Sequence, residues 1–313
     1  MLRKRSRSAR FDAASVESGD QRLFCRAGVT IGEFVCRPRS EMWARENQIS
    51  AGHLIVFPRC AVEIEPAGGS PVVADPTHVM LYNDGQVYRR RLLDTRGDEA
   101  VFFALPPALI AEIVGERDPG VGERLEAPFR FSQGPVSARE YLAHARLFHA
   151  LVDVGDAGSQ DTLEIDEQLV ELLTQTLAQV YAARGRERRE RGRAGSRTRR
   201  QHLERVHELR RVLALRFTES HTLAELAAEV GLSPFHAARI FRRYTGSSLH
   251  AYRVGLRLRS SLHRLARGHS EGLTGVALEL GFASHSHFTA AFSKEFGVPP
   301  SHVWGRRRPT ILP

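Results

Sequence analysis

The sequence predicts an α+β chain of two units: a β-barrel with attendant helices, then an all-α unit of two helix-turn-helix modules joined by a connecting helix. Three observations lead there. Between residues 21 and 105, short apolar runs alternate with Gly, Pro, Asn and Asp, the texture of strands and turns. Further on the chain repeats itself. LAELAAEVGL, Leu223 to Leu232, recurs as LTGVALELGF, Leu273 to Phe282, and each copy continues through an aromatic, Phe241 or Phe292, to a glycine, Gly246 or Gly297. Charge is segregated too: from Gly185 onward 24 Arg and Lys stand against 10 Asp and Glu, net +14, while the first 184 residues carry 21 against 26, net −5. A basic half of this kind suits a polyphosphate partner, because neutralising phosphates releases counterions. A general arginine bias does not explain an acidic first half.

At 313 residues and 42% hydrophobic content the chain holds two domains of ordinary size. The basic start, Met1 to Arg10, is not followed by a signal-peptide apolar stretch, and no apolar run approaches membrane-spanning length, so a cytoplasmic protein with no membrane partner is expected. Cys25, Cys36 and Cys60 are odd in number and lack a C-x-x-C pair, which argues against a disulfide framework and a closed zinc site.

In chain order, residues 1–20 are polar and charged and read as a disordered leader. The strand runs are Val29 to Ile31, Gly32 to Cys36, His53 to Phe57, Ala61 to Glu65, Pro71 to Val73, His78 to Tyr82 and Glu99 to Phe103. Asn83-Asp84-Gly85 is a turn signal between strands, and Gly52 to Pro58 is loosely echoed by Gly97 to Phe103. Pro106-Pro107 opens a short helix through Val114, and Ser137 to Glu140 is a capping box for another that runs to about Val154. From Asp161 a longer helix carries Leu169, Leu172, Leu173, Thr176, Leu177, Val180 and Tyr181 on one face. That stripe must bury against its own barrel or a second subunit; a small barrel has little surface to hide it, so it is expected as a homodimer contact. Residues 21–184 thus form one domain. Residues 185–200 lack apolar periodicity and are expected to be a flexible basic linker to the second domain, 201–308.

In the first module Thr222 to Glu225 is a capping box, Gly231 makes the turn, and Ser233-Pro234 supply the N-cap and first position of a second helix running to about Tyr244. Helical spacing buries Ala237, Ile240, Phe241 and Tyr244. It leaves Phe235, His236, Ala238, Arg239, Arg242 and Arg243 toward a DNA groove or its phosphates, with His236 equally suited to packing against the turn.

On these residues the region from Leu203 to Arg308 resembles the tandem helix-turn-helix domain of the AraC/XylS family of bacterial transcription regulators. The matching positions are Leu226-Ala227, Gly231, Ser233-Pro234, Arg239, Phe241, Thr245-Gly246, Ser248 and Tyr252, then Val276-Ala277, Gly281-Phe282, Ser286 to Phe288, Phe292, Phe296-Gly297 and Pro299-Pro300. The resemblance implies two recognition helices held by a connector, here Leu249 to about Ala266. The second module departs from the pattern: Ala290 stands where the family usually has a basic residue, Gly275 interrupts the positioning helix, and Gly272 replaces a capping Thr. Its candidate DNA contacts are Ser284, His285, Ser286 and Thr289. His285 and His287 point apart at i, i+2 and do not make a metal pair.

Such regulators commonly place a cupin-like barrel before the DNA-binding domain, and residues 21–105 resemble that arrangement in outline. A catalytic cupin needs H-x-H plus a carboxylate and a third histidine, whereas this region has only His53 and His78. The expectation is therefore a regulator with no chemistry and no cofactor of its own, the alternative being a metal-dependent cupin enzyme. Trp43, Phe57, Tyr82, Tyr88, Arg90 and Arg91 are candidates to line a small-molecule pocket, the arginines suiting a carboxylate; alternating aromatics equally suit barrel core. The expected partners are operator or promoter DNA, RNA polymerase, a small-molecule effector and a second copy of the chain.

Overall fold

Strand alternation builds two facing sheets. The computed structural model describes residues 23–50, 52–157, 162–190, 196–266 and 272–303; the expected leader at 1–20 lies outside them. The strands are β1 (Leu23–Arg26), β2 (Val29–Cys36), β3 (Asn47–Gln48), β4 (His53–Pro58), β5 (Val62–Pro66), β6 (Val72–Ala74), β7 (His78–Tyr82), β8 (Val87–Leu92), β9 (Asp98–Leu105) and β10 (Gln133–Pro135). One sheet runs β1-β2-β9-β4-β7-β10 and the other β3-β8-β5-β6, with antiparallel pairing throughout. The two strands whose sequences echo one another, β4 and β9, are direct partners, Ile55 opposite Phe103 and Val56 opposite Phe102.

The larger sheet is apolar on both faces. Successive side chains alternate, so Leu54, Met80, Tyr82, Phe102 and Ala104 face Val62, Ile64, Ala74 and Tyr88 of the smaller sheet. Ile31, Ile55, Phe57, Val79, Leu81, Val101 and Phe103 face a helical layer instead. That layer comprises α1 (Pro107–Val114), α2 (Ala138–Ala157) and α3 (Thr162–Glu190).

The α3 stripe corrects the expected dimer contact. Leu169, Leu172, Leu173, Thr176, Leu177 and Val180 are all buried within a single chain. The surface that takes them is β10 together with α1 and α2. Gly134 on β10 permits the approach, since a Cβ there would lie 2.5 Å from Val180 Cγ1. The basic stretch 185–200 also differs from expectation: α3 continues to Glu190, and α4 (Ser196–Leu215) has begun before Arg200. Arg, Glu and Ala are good helix formers without an apolar stripe, and pairs such as Arg200 Nε to Glu204 Oε1, 2.9 Å at i, i+4, support such a helix.

The remaining helices are α5 (Leu223–Glu229), α6 (Pro234–Thr245), α7 (Leu249–Ala266), α8 (Gly272–Glu279) and α9 (His285–Phe296). They do not hang free of the barrel: α4 packs on β6, and α2 packs on α7 and α9. The junction centres on Asp75, which directly follows β6 and is wholly buried. Its Oδ2 accepts hydrogen bonds from the Tyr252 hydroxyl on α7 and from Arg210 Nη2 on α4 at 3.0 Å, and its Oδ1 accepts from the Thr77 amide at 2.8 Å and the Thr77 hydroxyl. Arg210 also donates to Tyr252 Oη and to the Val73 carbonyl, each at 2.8 Å. Burial opposes ionisation of Asp75, but Arg210, His78 and Thr77 together outweigh it and hold the carboxyl well below the usual carboxylate range. Around this hub, His263 Nε2 lies 2.9 Å from Glu99 Oε2, Arg259 Nη2 donates to the Val136 carbonyl at 3.4 Å, and Ala214 packs with Ala61 and Val73.

Two substitutions test these assignments. Leu173→Glu places a carboxylate in the core and is expected to abolish a cooperative thermal melt; a folded monomer with unchanged melting temperature would return the stripe to the surface. Asp75→Ala strands Arg210 as a buried, unpaired cation, expected to cost about 3–5 kcal/mol, read as a lowered denaturant midpoint with faster proteolysis between the two domains.

Candidate nucleic-acid interface

Each module is set by the same local chemistry. In the first, the Thr222 hydroxyl accepts from the Glu225 amide at 3.2 Å while Glu225 Oε2 accepts from the Thr222 amide at 2.8 Å, closing the capping box of α5. Ser233 Oγ accepts from the His236 amide at 3.3 Å and Pro234 occupies the first turn of α6, which ends at left-handed Gly246. In the second, Ser284 Oγ accepts from the His287 amide at 3.1 Å, and α9 ends at left-handed Gly297. From these caps onward the modules run in register at an offset of 51.

On α6, Ala237, Ile240 and Phe241 are buried, while Phe235, at 80% exposure, joins Arg239, Arg242 and Arg243 on the opposite, open face. Positions 235, 239, 242 and 243 follow i, i+4, i+7, i+8, one stripe of a helix. Among the described residues none of these three arginines has an ion pair, and Arg243 lies over the Tyr244 ring at 5.7 Å. His236 is half-buried, its ring 5.4 Å edge-on from that of His202. Ala238 is half-buried in a hollow with Leu223, Leu226 and Leu249, one side of which is formed by Arg242 of the stripe.

On α9, Phe288, Phe292 and Phe296 are buried. Ser286, Ala290 and Lys294 are exposed at the register positions of Phe235, Arg239 and Arg243. Lys294 is absent from the sequence-derived set, although the 51-residue offset sets it against Arg243. His285 is exposed with Nε2 3.4 Å from the hydroxyl of half-buried Thr289, Ser284 is engaged as the cap, and His287 sets its ring 5.5 Å edge-on from Phe282. Among the described residues no three His, Cys, Asp or Glu side chains gather as a metal set.

The modules are fastened by a residue that sequence patterning did not flag. Arg257 on α7 donates through Nε to the Phe217 carbonyl at 2.6 Å, through Nη1 to the Gly281 carbonyl at 2.6 Å, and through Nη2 to the carbonyls of Thr218 and Glu219. One guanidinium thus joins the chain entering the first module to the turn of the second. With only carbonyl oxygens around it, burial and then Arg253 pull Arg257 down to about 10. Gly281 is required twice, for its φ of 79° and because a Cβ would lie 2.1 Å from the Thr218 carbonyl. The 18-residue α7 spans about 27 Å at 1.5 Å per residue, the scale of one DNA helical turn.

The barrel candidates separate. Tyr82, Tyr88 and Arg90 line a cavity of about 440 Å³ between the sheets. Phe57 is on the other face of β4, stacked on His144 with ring centroids 4.2 Å apart. Trp43 packs at the edge of the inter-sheet core, its Nε1 donating to the Arg37 carbonyl at 2.8 Å. Arg91 points outward to Glu63 and Glu65. His53 and His78 sit at opposite ends of the paired strands β4 and β7.

Residues 226–306 match the helix-turn-helix domain family. The chain is 29% identical over 100 residues to the regulatory protein PocR of Salmonella typhimurium, covering 30% of this chain and 32% of PocR. It is 35% identical over 80 residues to the right origin-binding protein of Escherichia coli, covering 26% of this chain and 27% of that protein. The chain thus spans about a third or less of the length of the curated relatives it matches. Among solved structures, ToxT from Vibrio cholerae aligns over 88% of this chain and 96% of its own at 11% identity and a TM-score of 0.32. A Chromobacterium violaceum regulator with an AraC-type DNA-binding domain aligns over 32% of this chain and 89% of its own at 24% identity and a TM-score of 0.30.

Arg239 is exposed near the middle of α6, and an arginine so placed on a helix that enters the major groove pairs with guanine, worth ~1–3 kcal/mol per bidentate contact. Arg239→Ala in the full chain is expected to relax preference at one base pair of a site selected from a random duplex library, while binding to random DNA stays within a few fold. A uniform loss on every sequence would make Arg239 a phosphate contact.

Proposed function

We propose that this chain, whose C-terminal domain is a tandem helix-turn-helix of the AraC/XylS type, is a sequence-specific transcription regulator that binds operator or promoter duplexes and acts on RNA polymerase in response to a small molecule. The observation that carries the reading is the pair of open helix faces in register, Phe235, Arg239, Arg242 and Arg243 on one and Ser286, Ala290 and Lys294 on the other, with the first set's cations unpaired. Several other arginines of the same domain are committed to partners within the chain. Arg210, Arg257 and Arg259 bond carboxylates, carbonyls or a tyrosine, and Arg216 pairs with Glu219 and Glu229. Among the described residues the three α6 arginines carry no such partner and stand open to phosphate and base edges.

Both helix faces stay exposed while the DNA-binding domain is docked on the barrel, so docking does not cover the reading surface. In this reading docking controls the relative placement of the two modules, because Asp75 and Glu99 hold α7 near its two ends. A ligand in the cavity communicates through β6, where Ala74 lines the cavity and the next residue is Asp75.

The test uses the full chain and a selected site. Affinity is expected to fall steeply with salt, with a log–log slope of about −0.9 per phosphate neutralised. Base changes in the half read by α6 are expected to cost more than those in the half read by α9, where Ala290 supplies no donor. Equal affinity for selected and random duplexes at every salt concentration would sink the regulator reading; equal sensitivity of both halves would sink the ranking of the modules.

A further inference from the structure

The cavity between the sheets is apolar through most of its wall, with Leu54, Val56, Val62, Ile64, Met80 and Phe102 contributed by both sheets. Its buried polar lining comprises Asn47, Tyr88, Arg90 and Asp98, with Arg45, Glu46 and Gln48 lining it from exposed positions. Asn47 on β3 pairs across to Tyr88 on β8, and Arg90 is two residues further along the same face of β8. Arg90 donates through Nη1 to Asp98 Oδ2 at 2.9 Å and through Nη2 to the Tyr88 hydroxyl, and its guanidinium lies 4.5 Å over the Phe34 ring. Asn47 donates both amide hydrogens, to the carbonyls of Met42 at 3.1 Å and Arg45 at 3.2 Å, which fixes the orientation of its oxygen.

After these bonds two buried polar atoms remain without a partner: Arg90 Nε, a donor, and Asn47 Oδ1, an acceptor. Both residues are more than nine-tenths buried and both line the cavity. Unpaired buried groups of this kind are rare, because each carries its full desolvation cost. Charge settles what satisfies them. Arg90 is already neutralised by Asp98, and the other arginine of the lining, Arg45, is solvent-exposed, so the buried end has no surplus cation for a carboxylate, which would also face Asp98; an ammonium would face Arg90. The carboxylate expected from the sequence is thereby displaced. Of the two arginines behind that expectation, one is already paired and the other points out of the barrel.

We infer that the cavity binds an uncharged, largely apolar molecule bearing a hydroxyl-type group, which can donate to Asn47 Oδ1 or accept from Arg90 Nε. This rests on the effector reading only for what the molecule does, not for its chemistry.

Three probes of matched skeleton separate the alternatives on the full chain by calorimetry at pH 7: 4-hexylphenol, 4-hexylbenzoate and hexylbenzene. The phenol is expected to bind about five- to tenfold tighter than the hydrocarbon, and the benzoate more weakly than the phenol. Asn47→Leu, which keeps bulk and removes the acceptor, is expected to erase the advantage of phenol over hydrocarbon while leaving hydrocarbon binding near its original value. Should that variant fail to fold, Ile64→Phe, which narrows the cavity without touching a polar atom, is expected to weaken phenol and hydrocarbon alike. The inference is overturned if the benzoate binds as tightly as the phenol, if phenol and hydrocarbon bind equally to the unaltered chain, if Asn47→Leu folds and keeps the phenol preference, if Ile64→Phe leaves phenol binding unchanged, or if no probe binds at millimolar concentration. Measuring affinity for a selected DNA site in the presence of the phenol keeps the two readings apart. Binding of the phenol with no change in DNA affinity overturns the effector role and leaves the ligand chemistry standing.

Discussion

A single buried carboxylate organises this molecule. Asp75 has no access to water, and an isolated charge there would be prohibitive, so the fold must bring donors to it. It does so from three places: the Thr77 turn beside it, Arg210 on α4 and Tyr252 on α7. Because Arg210 and Tyr252 also bond one another, the three side chains form a closed triangle in which no member moves without leaving another unsatisfied. Two helices of the C-terminal helical domain are thereby tied to the end of one barrel strand, and the apolar core is continuous from the barrel through the second module.

The same logic divides the arginines of the basic half. Arg210, Arg257 and Arg259 are largely buried, and their guanidinium groups knit helices to carbonyls and carboxylates. A planar fork with five donors suits that work better than a lysine does. The arginines on α6 make no such bonds. The net charge of this region therefore overstates the cation surface open to a partner, since part of it is internal glue, and the cations on the open stripe of α6 are the better guide to the proposed nucleic-acid interface.

How far the sequence could be read follows from the range of each interaction. The capping boxes, turn glycines and apolar spacing of the helix-turn-helix modules are local, and they specify the open and buried faces of α6 from Ser233 to Gly246. The same register also contains Lys294, readable by carrying Arg243 forward 51 positions. What was illegible is non-local or two-sided. Asp75 meets partners 135 and 177 residues away, and no pattern near Pro76 announces them. The larger sheet is apolar on both faces, so alternation could say that Phe57 and Tyr82 are inside but not which of two interiors each enters. Strand β8, with Arg89, Arg90 and Arg91 in succession, is missing from the strand runs of the sequence, and of its three arginines Arg90 alone turns inward, to Asp98. The α3 stripe had two candidate burial surfaces; what decided between them was β10, a three-residue strand containing Gly134 and Pro135 that strand statistics do not favour.

Strand geometry also explains how a cavity and a domain junction share one element. Neighbouring side chains on a strand point to opposite sides, so β6 needs no moving part to face two compartments. Ala74 belongs to the inter-sheet cavity, Val73 packs against Ala214 of α4 on the other side, and the chain leaving the strand delivers Asp75 to the triangle. A displacement of β6 within the sandwich would be resisted on one side by close packing and on the other by a buried charge whose bonds have little tolerance for distance or angle. Such an element does not deform gradually. It holds its bonds or releases them, which is the property that the proposed link between the inter-sheet cavity and the two exposed helix faces requires.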